Sequence, residues 1–359
     1  MIQVKNEYPG AQHQTYLNTA ASGLMSKKAT EKVQEFHSNY LEKGTVHADA
    51  WLMNDFPKVR ETIAEFIDAS IEQLAIIPNF SFGYNSLLDS IGKKKTLVYE
   101  RDYPSLKIPL ELKGFELVEL QDTLGFAIDQ NELFKILVQE NIELLVMSHA
   151  QFKTGFLADI QAIGTFCKKN NIIFIVDATQ TAGAIPMSFS NLNVGALIWS
   201  NYKWINGGFA TGVMCLKPHM ITDHVPRIGG FGSFVIEGDN WIYRPSSKSY
   251  EPSHPNMAAL LGLQVALEEK MEIGINSIRS HNKELLEYCT QGLIAKGVDF
   301  YGKDSPTSER AFIVMPAEEE VFQKLKSRNI ITTFRENYIR FGFHFYNSKE
   351  DVDAFLEEF

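Results

Sequence analysis

The sequence predicts an α/β protein, with a mainly parallel seven-stranded sheet between helices in a large domain and a small C-terminal α+β domain. Three observations carry this. Between about residues 70 and 216, short apolar runs alternate with amphipathic stretches. The runs are apolar at consecutive positions, as strands covered on both faces must be. Beyond residue 245 the rhythm gives way to one long helical stretch and then short mixed segments.

Seven runs form the predicted strands: "LAIIP" (74–78), "TLVYE" (96–100), "FELVEL" (115–120), "IELLVMS" (142–148), "IIFIVDA" (172–178), "ALIWS" (196–200) and "GVMCLK" (212–217). Amphipathic segments such as "DIQAIGTFCKKN" (159–170) supply the helices between them, and that alternation makes neighbouring strands parallel. Residues 218–250 are irregular and rich in Gly, Pro and aromatics. A helical stretch over 256–296 follows, with a break expected near Gly274. "RAFIVMP" (310–316), "NIITTF" (329–334) and "YIRFGFHF" (338–345) come next. A last helix over 348–359 starts at Ser348, an N-cap with acidic residues in the first turn. The large domain is placed at 15–245, and the small one at 1–14 and 246–359. The 359 residues suffice for these two domains.

Composition narrows the function. Hydrophobic residues make up 45% and charged residues 22%, the balance of a soluble globular chain. A net charge of −10 with no run of Lys and Arg argues against nucleic acid as a partner. No segment is long and apolar enough to span a bilayer, and "MIQVKNEYPG" has no apolar signal core, so no membrane and a cytoplasmic location are expected. Cys167, Cys215 and Cys289 are few and far apart, which reads as reduced, buried thiols. The histidines lack metal-ligand spacing. "NFSFGYN" after the first strand carries no dinucleotide or P-loop glycine pattern.

In an open α/β sheet, ligands bind beyond the carboxyl ends of the strands. There the sequence puts Asn79, Phe80 and Ser81 after the first strand, and Tyr103 after the second. His149 and Gln151 follow the fourth, Asp177 and Gln180 the fifth, and Ser200, Tyr202 and Lys203 the sixth. Each is ordinary alone: a strand-end carboxylate often caps a helix, and a lone lysine is usually solvated. Together they match the needs of one cofactor, pyridoxal 5'-phosphate. It requires an amine for a Schiff base, a carboxylate against its pyridine nitrogen, donors for its phosphate and a ring against its face. An apolar, aromatic setting, here Tyr202 and Trp204, lowers a lysine pKa so that the amine is free to react.

At these residues the chain resembles the class V aminotransferase family of pyridoxal-phosphate enzymes, of the aspartate-aminotransferase fold (fold type I). "VDATQTAGAIPMSFSNLNVGALIWSNYKWINGGFATGVMCLKP" (176–218) resembles that family's core, "YLNTAASG" (16–23) its N-terminal segment, "YEPSHPNMAALLGL" (250–263) its "GTPN" segment, and 339–359 its closing segment. Within the class, "SHAQFKTGFLADI" (148–160), "SNYKWINGG" (200–208) and "YERDYPS" (99–105) are most similar to kynureninase.

The resemblance implies roles. Lys203 is the Schiff-base lysine and then the acid/base at the substrate's α-carbon. Asp177 pairs with the pyridine nitrogen and Gln180 reaches the ring oxygen. Ser200 and Tyr202 hold the phosphate, with Asn79, Phe80 and Ser81 at a helix N-terminus, whose free N–H groups favour an anion. Tyr103 stacks on the ring. Gln151 stands beside ring oxygen and substrate where the family has Asn. Arg340 clamps the substrate carboxylate. Asn18 is a substrate contact, and Tyr16, Arg244, Phe231 and Arg335 are candidates for the side-chain pocket. His254 replaces a Thr that reaches the partner subunit's phosphate, so a homodimer with its site at the interface is implied.

The phosphate loop reads "NFS" where the family has "GTT", and "GFGS" (230–233) replaces the kynureninase "W-x-G-H". Those departures, with a chain shorter than the kynureninases, argue against kynurenine itself as substrate. Transamination of an amino acid is the expected reaction, with kynureninase-like side-chain cleavage as the alternative. A cofactor-binding protein of vestigial or regulatory activity is a third reading, opposed by the retention of Lys203, Asp177 and Arg340. Desulfuration through a nucleophilic cysteine is not expected. Desulfurases carry that cysteine shortly before the carboxylate-binding arginine, and here none follows Cys289, which lies mid-helix by pattern.

Overall fold

The computed structural model describes residues 4–359; residues 1–3 of the expected N-terminal segment lie outside the described residues. All seven predicted strands form: β1 (Leu74–Ile77), β2 (Lys95–Tyr99), β3 (Glu116–Leu120), β4 (Leu144–Ser148), β5 (Ile173–Asp177), β6 (Ala196–Ser200) and β7 (Gly212–Leu216). They make one sheet in the order β1-β7-β6-β5-β4-β2-β3. Only β7 runs against its neighbours, pairing antiparallel with β1 and β6. The carboxyl ends of the other six therefore share one rim.

The continuous apolar runs follow from burial on both faces. Leu145, Met147, Phe174, Val176, Leu197 and Trp199 enter one core. The alternate positions Leu144, Val146, Ile175 and Ile198 enter the other. Helices Phe80–Ile91 and Pro104–Lys113 cover the second face. Helices Phe56–Ile67, Ile160–Lys169 and Met257–Ile273 cover the first.

After β7 the irregular stretch holds a hairpin, β8 (Phe234–Glu237) with β9 (Asn240–Tyr243). The long helical stretch divides as expected at Gly274, whose φ of +86° suits glycine. Helix Met257–Ile273 packs into the core of the large sheet, whereas helix Ile275–Ala295 joins the C-terminal core. The packing thus changes hands at Gly274, with Leu260, Leu263 and Leu267 in the core of the large sheet. At the other end, Thr15–Tyr16 pairs in parallel with Ile330–Ile331, tying the N-terminal segment to the C-terminal part.

The C-terminal sheet is β10 (Ile313–Pro316), β12 (Tyr338–Phe341) and β11 (Thr333–Arg335), antiparallel in that order. Glu336 and Asn337, both at positive φ, make the two-residue turn between β11 and β12. Its register sets Thr333 opposite Arg340 and Arg335 opposite Tyr338, so both arginines emerge on one face. The last helix, Lys349–Leu356, begins at Ser348 with a capping box to Asp351.

Candidate active site

A cavity of about 520 Å³ opens at the shared rim, where β1, β4, β5 and β6 end. Its walls include Asn79, Phe80 and Ser81, Tyr103, Asp177 and Gln180, Ser200, Tyr202 and Lys203, and, from the C-terminal sheet, Arg335 and Arg340. The sheet brings together strand ends as far apart in sequence as Ile77 and Ser200.

Asp177 closes β5 and is buried. The Thr179 amide donates to its Oδ1 at 2.8 Å, fixing the carboxylate. Burial raises its pKa to about 6, against the Thr179 hydrogen bonds and the Lys203 charge. Lys203 lies three residues beyond β6, with Nζ 5.9 Å from the Tyr103 ring centroid and 5.7 Å from that of Tyr202. Burial, the charge of Arg340 and that of Arg335 lower its pKa to about 7, with Asp177 pulling the other way. Burial thus favours the neutral amine, the form that acts as a nucleophile.

Helix Phe80–Ile91 points its N-terminus at the cavity. Asn79 caps it, accepting from the Phe82 amide at 2.9 Å, and the Ser200 hydroxyl accepts from the Phe80 amide at 2.9 Å. The Ser81 amide is left without an acceptor among the described residues, which suits an anion there. Tyr202 stacks on Phe209, with centroids 5.0 Å apart, and Tyr103 meets the edge of Phe152 at 5.2 Å.

Arg340 has no carboxylate within 4.0 Å among the described residues. Its longest-range contacts are backbone carbonyls, Ala20 at 3.4 Å and Phe152 at 3.5 Å, and Nε is buried with no partner. Burial, then the Arg335 charge, lowers its pKa to about 10. A half-buried guanidinium with an unpartnered Nε is stabilised when an anion arrives.

Several expected contacts fall elsewhere. The Gln151 side chain turns away from the cavity and donates to Asp102 at 3.3 Å and to the Ser148 carbonyl at 3.2 Å, because the buried Asp102 outcompetes an open pocket for its amide. His149 is buried against Thr181, and its pKa falls to about 3 through burial. Asn18 accepts from the Thr333 hydroxyl at 2.5 Å, pinning the N-terminal segment to β11. Tyr16 donates to the Ser22 carbonyl, Arg244 to that of Gly232, and Phe231 is 83% exposed on the surface. His254 lies in a neighbouring groove that shares Pro78 and Ala210 with the cavity. Gln180 does line the cavity, but its amide already donates to the Ala20 carbonyl and accepts from the Trp204 indole.

Sequence reasoning missed Asp102. Buried at the end of β2, it accepts from the Ser148 hydroxyl and amide and from the Tyr103 amide, so it orients the Tyr103 loop. Burial raises its pKa against those hydrogen bonds. Its position beyond a strand end was the available signal. Phe152, Ser105 and Thr179 also line the cavity without having been singled out.

The donor set fits pyridoxal phosphate. A buried carboxylate, a lysine of lowered pKa, an aromatic ring, an anion-ready helix N-terminus and an arginine with no counter-ion among the described residues converge on one cavity. Residues 15–355 match the family described as aminotransferase class V, and the chain belongs to that family, whose enzymes use pyridoxal phosphate. The chain is 22% identical to the uncharacterized aminotransferase YcbU of Bacillus subtilis (strain 168), over 99% of this chain and 96% of that protein. It is 26% identical to kynureninase of Geobacillus thermodenitrificans (strain NG80-2), over 94% and 85%. Among solved structures, the apo cysteine desulfurase of Thermococcus onnurineus NA1 superposes with a TM-score of 0.89 at 21% identity, over 99% of this chain and 96% of that one. The relatives therefore share the fold and family and differ in the reaction named.

Proposed function

We propose that this class V enzyme acts on an amino acid by breaking a bond in the substrate side chain, with Lys203 as the cofactor lysine and proton carrier. The observation that carries the site is the convergence of Lys203, Asp177 and Arg340 on one cavity. Pyridoxal phosphate bound there supplies an electron sink for charge left on the substrate α-carbon. Asp177 holds a negative charge for the ring nitrogen, and the Phe80–Ile91 helix N-terminus with Ser200 holds the phosphate. Arg340 binds and orients the α-carboxylate, while Tyr103 covers the ring. Lys203, its pKa lowered toward neutrality, takes and returns the proton at the α-carbon.

Two observations support side-chain cleavage over the transamination expected from the resemblance. Kynureninase and cysteine desulfurase, both named among the relatives, cleave beyond the α-carbon. A second cavity of about 550 Å³ adjoins the first across Tyr103, Phe152, Arg335 and Arg340, with room for a substantial side chain. A sulfur relay through the protein's own thiol has no candidate: Cys167, Cys215 and Cys289 are all buried, none lines the cavity, and burial raises each thiol pKa. The cleavage we propose is direct. Transamination is the second reading, favoured by the aminotransferase relative.

The test is a panel of amino acids given to the pyridoxal-phosphate enzyme. Release of a side-chain fragment with alanine or pyruvate supports cleavage; conversion of bound cofactor to its amine form with a keto acid as product supports transamination instead. We also propose a homodimer that closes the cavity, with the exposed Phe231, Ile236 and Trp241 at its contact. Sedimentation as a monomer with full cofactor binding would remove that assignment.

A further inference from the structure

The turn that carries Lys203 has a back as well as a front. Asn206 donates its amide to the Lys203 carbonyl at 3.1 Å, closing a four-residue turn with Lys203 at its first position. Asn206 sits at φ +65°, in the left-handed region that asparagine tolerates. Its side chain is held from behind. Its Oδ1 accepts from Lys270 Nζ at 2.7 Å and faces His344 Nε2 at 2.9 Å. His344 Nε2 also lies 2.9 Å from the Trp204 carbonyl, inside the same turn. Asn282 Nδ2 approaches His344 Nδ1 at 3.4 Å, so Nδ1 accepts and Nε2 carries the proton.

Lys270 is the unusual member. It comes from helix Met257–Ile273, is 0% exposed, and has no carboxylate within 4.0 Å among the described residues. Its amine lies 4.5 Å from the Phe345 ring centroid. Burial lowers its pKa to about 7, with the charge of Glu269 opposing. Glu269 itself accepts from the Tyr8 hydroxyl at 2.9 Å, and His344 is the other titratable group facing Lys270. An apolar residue would fill this place at lower cost. The fourth side of the turn is equally tight. Gly23 donates its amide to the Tyr202 carbonyl at 2.8 Å, and a Cβ on Gly23 would lie 2.0 Å from the Lys203 carbonyl oxygen.

We propose that Lys270 and His344 are positioning residues for Lys203: by gripping the Asn206 side chain they hold the turn in place and set where the Lys203 amine enters the cavity. The proposal rests on Lys203 being the cofactor lysine. Neither residue lines the cavity, so their effect passes through the turn: Lys270 acts through Asn206, and His344 through Asn206 and the Trp204 carbonyl.

The experiment mixes apoprotein with pyridoxal phosphate and follows covalent capture by visible absorbance across pH, which needs no knowledge of the substrate. Lys270→Met slows capture about tenfold, as a displacement well under 1 Å at a reacting group does. It also moves the midpoint of the pH profile above about 7, because a loosened turn lets the Lys203 amine reach water. Asn206→Gly, which accepts φ +65° without strain and removes the acceptor, reproduces both effects and carries the test if Lys270→Met does not fold. The double variant is no slower than either single one, since both break the same link. Capture at the unaltered rate and midpoint in Lys270→Met or Asn206→Gly, whatever happens to stability, overturns the positioning role. Additive slowing in the double variant overturns the route through Asn206. Borohydride-fixed cofactor on a Lys203→Ala protein would instead strike at Lys203 itself and leave the turn's geometry out of account.

Discussion

Lys203, half-buried, and Lys270, fully buried, are both lysines whose pKa falls to about 7, and their surroundings differ. Lys203 opens on a cavity with a carboxylate, two arginines and two aromatic rings around it. Lys270 is sealed between a helix and Phe345 and spends its amine on one amide oxygen. In both, desolvation is the first cause of the shift. A depressed lysine therefore marks burial; access and company mark chemistry. The largest expected effect follows from that contrast. Lys203→Ala abolishes covalent capture of pyridoxal phosphate, read as loss of the visible band and of borohydride-fixed cofactor, while Lys270→Met keeps capture and only slows it. Equal loss in both variants would erase the distinction.

The same contrast explains what the sequence makes legible. Lys203 and Asp177 stand out because each ends a run that only a buried strand explains, and the rim rule then joins them. The seven strands are readable for the same reason, since burial on two faces leaves no polar alternation to misread. Lys270 sits in "ALEEKMEI", where a charged cluster reads as a solvated helix face. Only the packing of that helix between the large sheet's core and Phe345 turns it inward. Gln151 and His254 are matched to roles by position along a resemblance, but the buried Asp102 takes the Gln151 amide, and the chain path carries His254 into the next groove. Helices Lys27–Lys43, Thr45–Asn54 and Phe56–Ile67 are not among the sequence expectations, because they lie before the strand-and-helix alternation on which that reading rests.

Arg340 sharpens the front-side half of the comparison. Its guanidinium has only long contacts to two carbonyls and an unpartnered Nε, which supports the proposed role of binding the substrate carboxylate. Arg340→Gln raises KM for the amino acid about a hundredfold, equivalent to ~3 kcal/mol for a desolvated charge pair. The visible spectrum of bound cofactor stays as it is. An unchanged KM would take Arg340 out of substrate binding. Arg335, exposed at the same face and also without a carboxylate, is expected to change KM less, since solvent screens it.

The smallest effect tests whether Lys270 is sealed as tightly as Lys203 is open. In the folded apoprotein Lys270 is neutral above about pH 7. In the unfolded chain a lysine stays protonated up to about pH 10.4. Between those values the unfolded chain binds the extra proton, so this residue makes unfolding free energy rise with pH, and its cost to the fold is greatest at about pH 7 and below. Lys270→Met removes that dependence. Urea unfolding of apoprotein across the window should therefore show wild type gaining stability faster with pH than the variant, by up to one proton's worth, about 1.4 kcal/mol per pH unit. Below about pH 7 the two slopes converge, because the lysine is then protonated in both states. Parallel slopes throughout would mean that the Lys270 amine reaches water in the fold, and a grip on Asn206 that water competes for would not hold the turn.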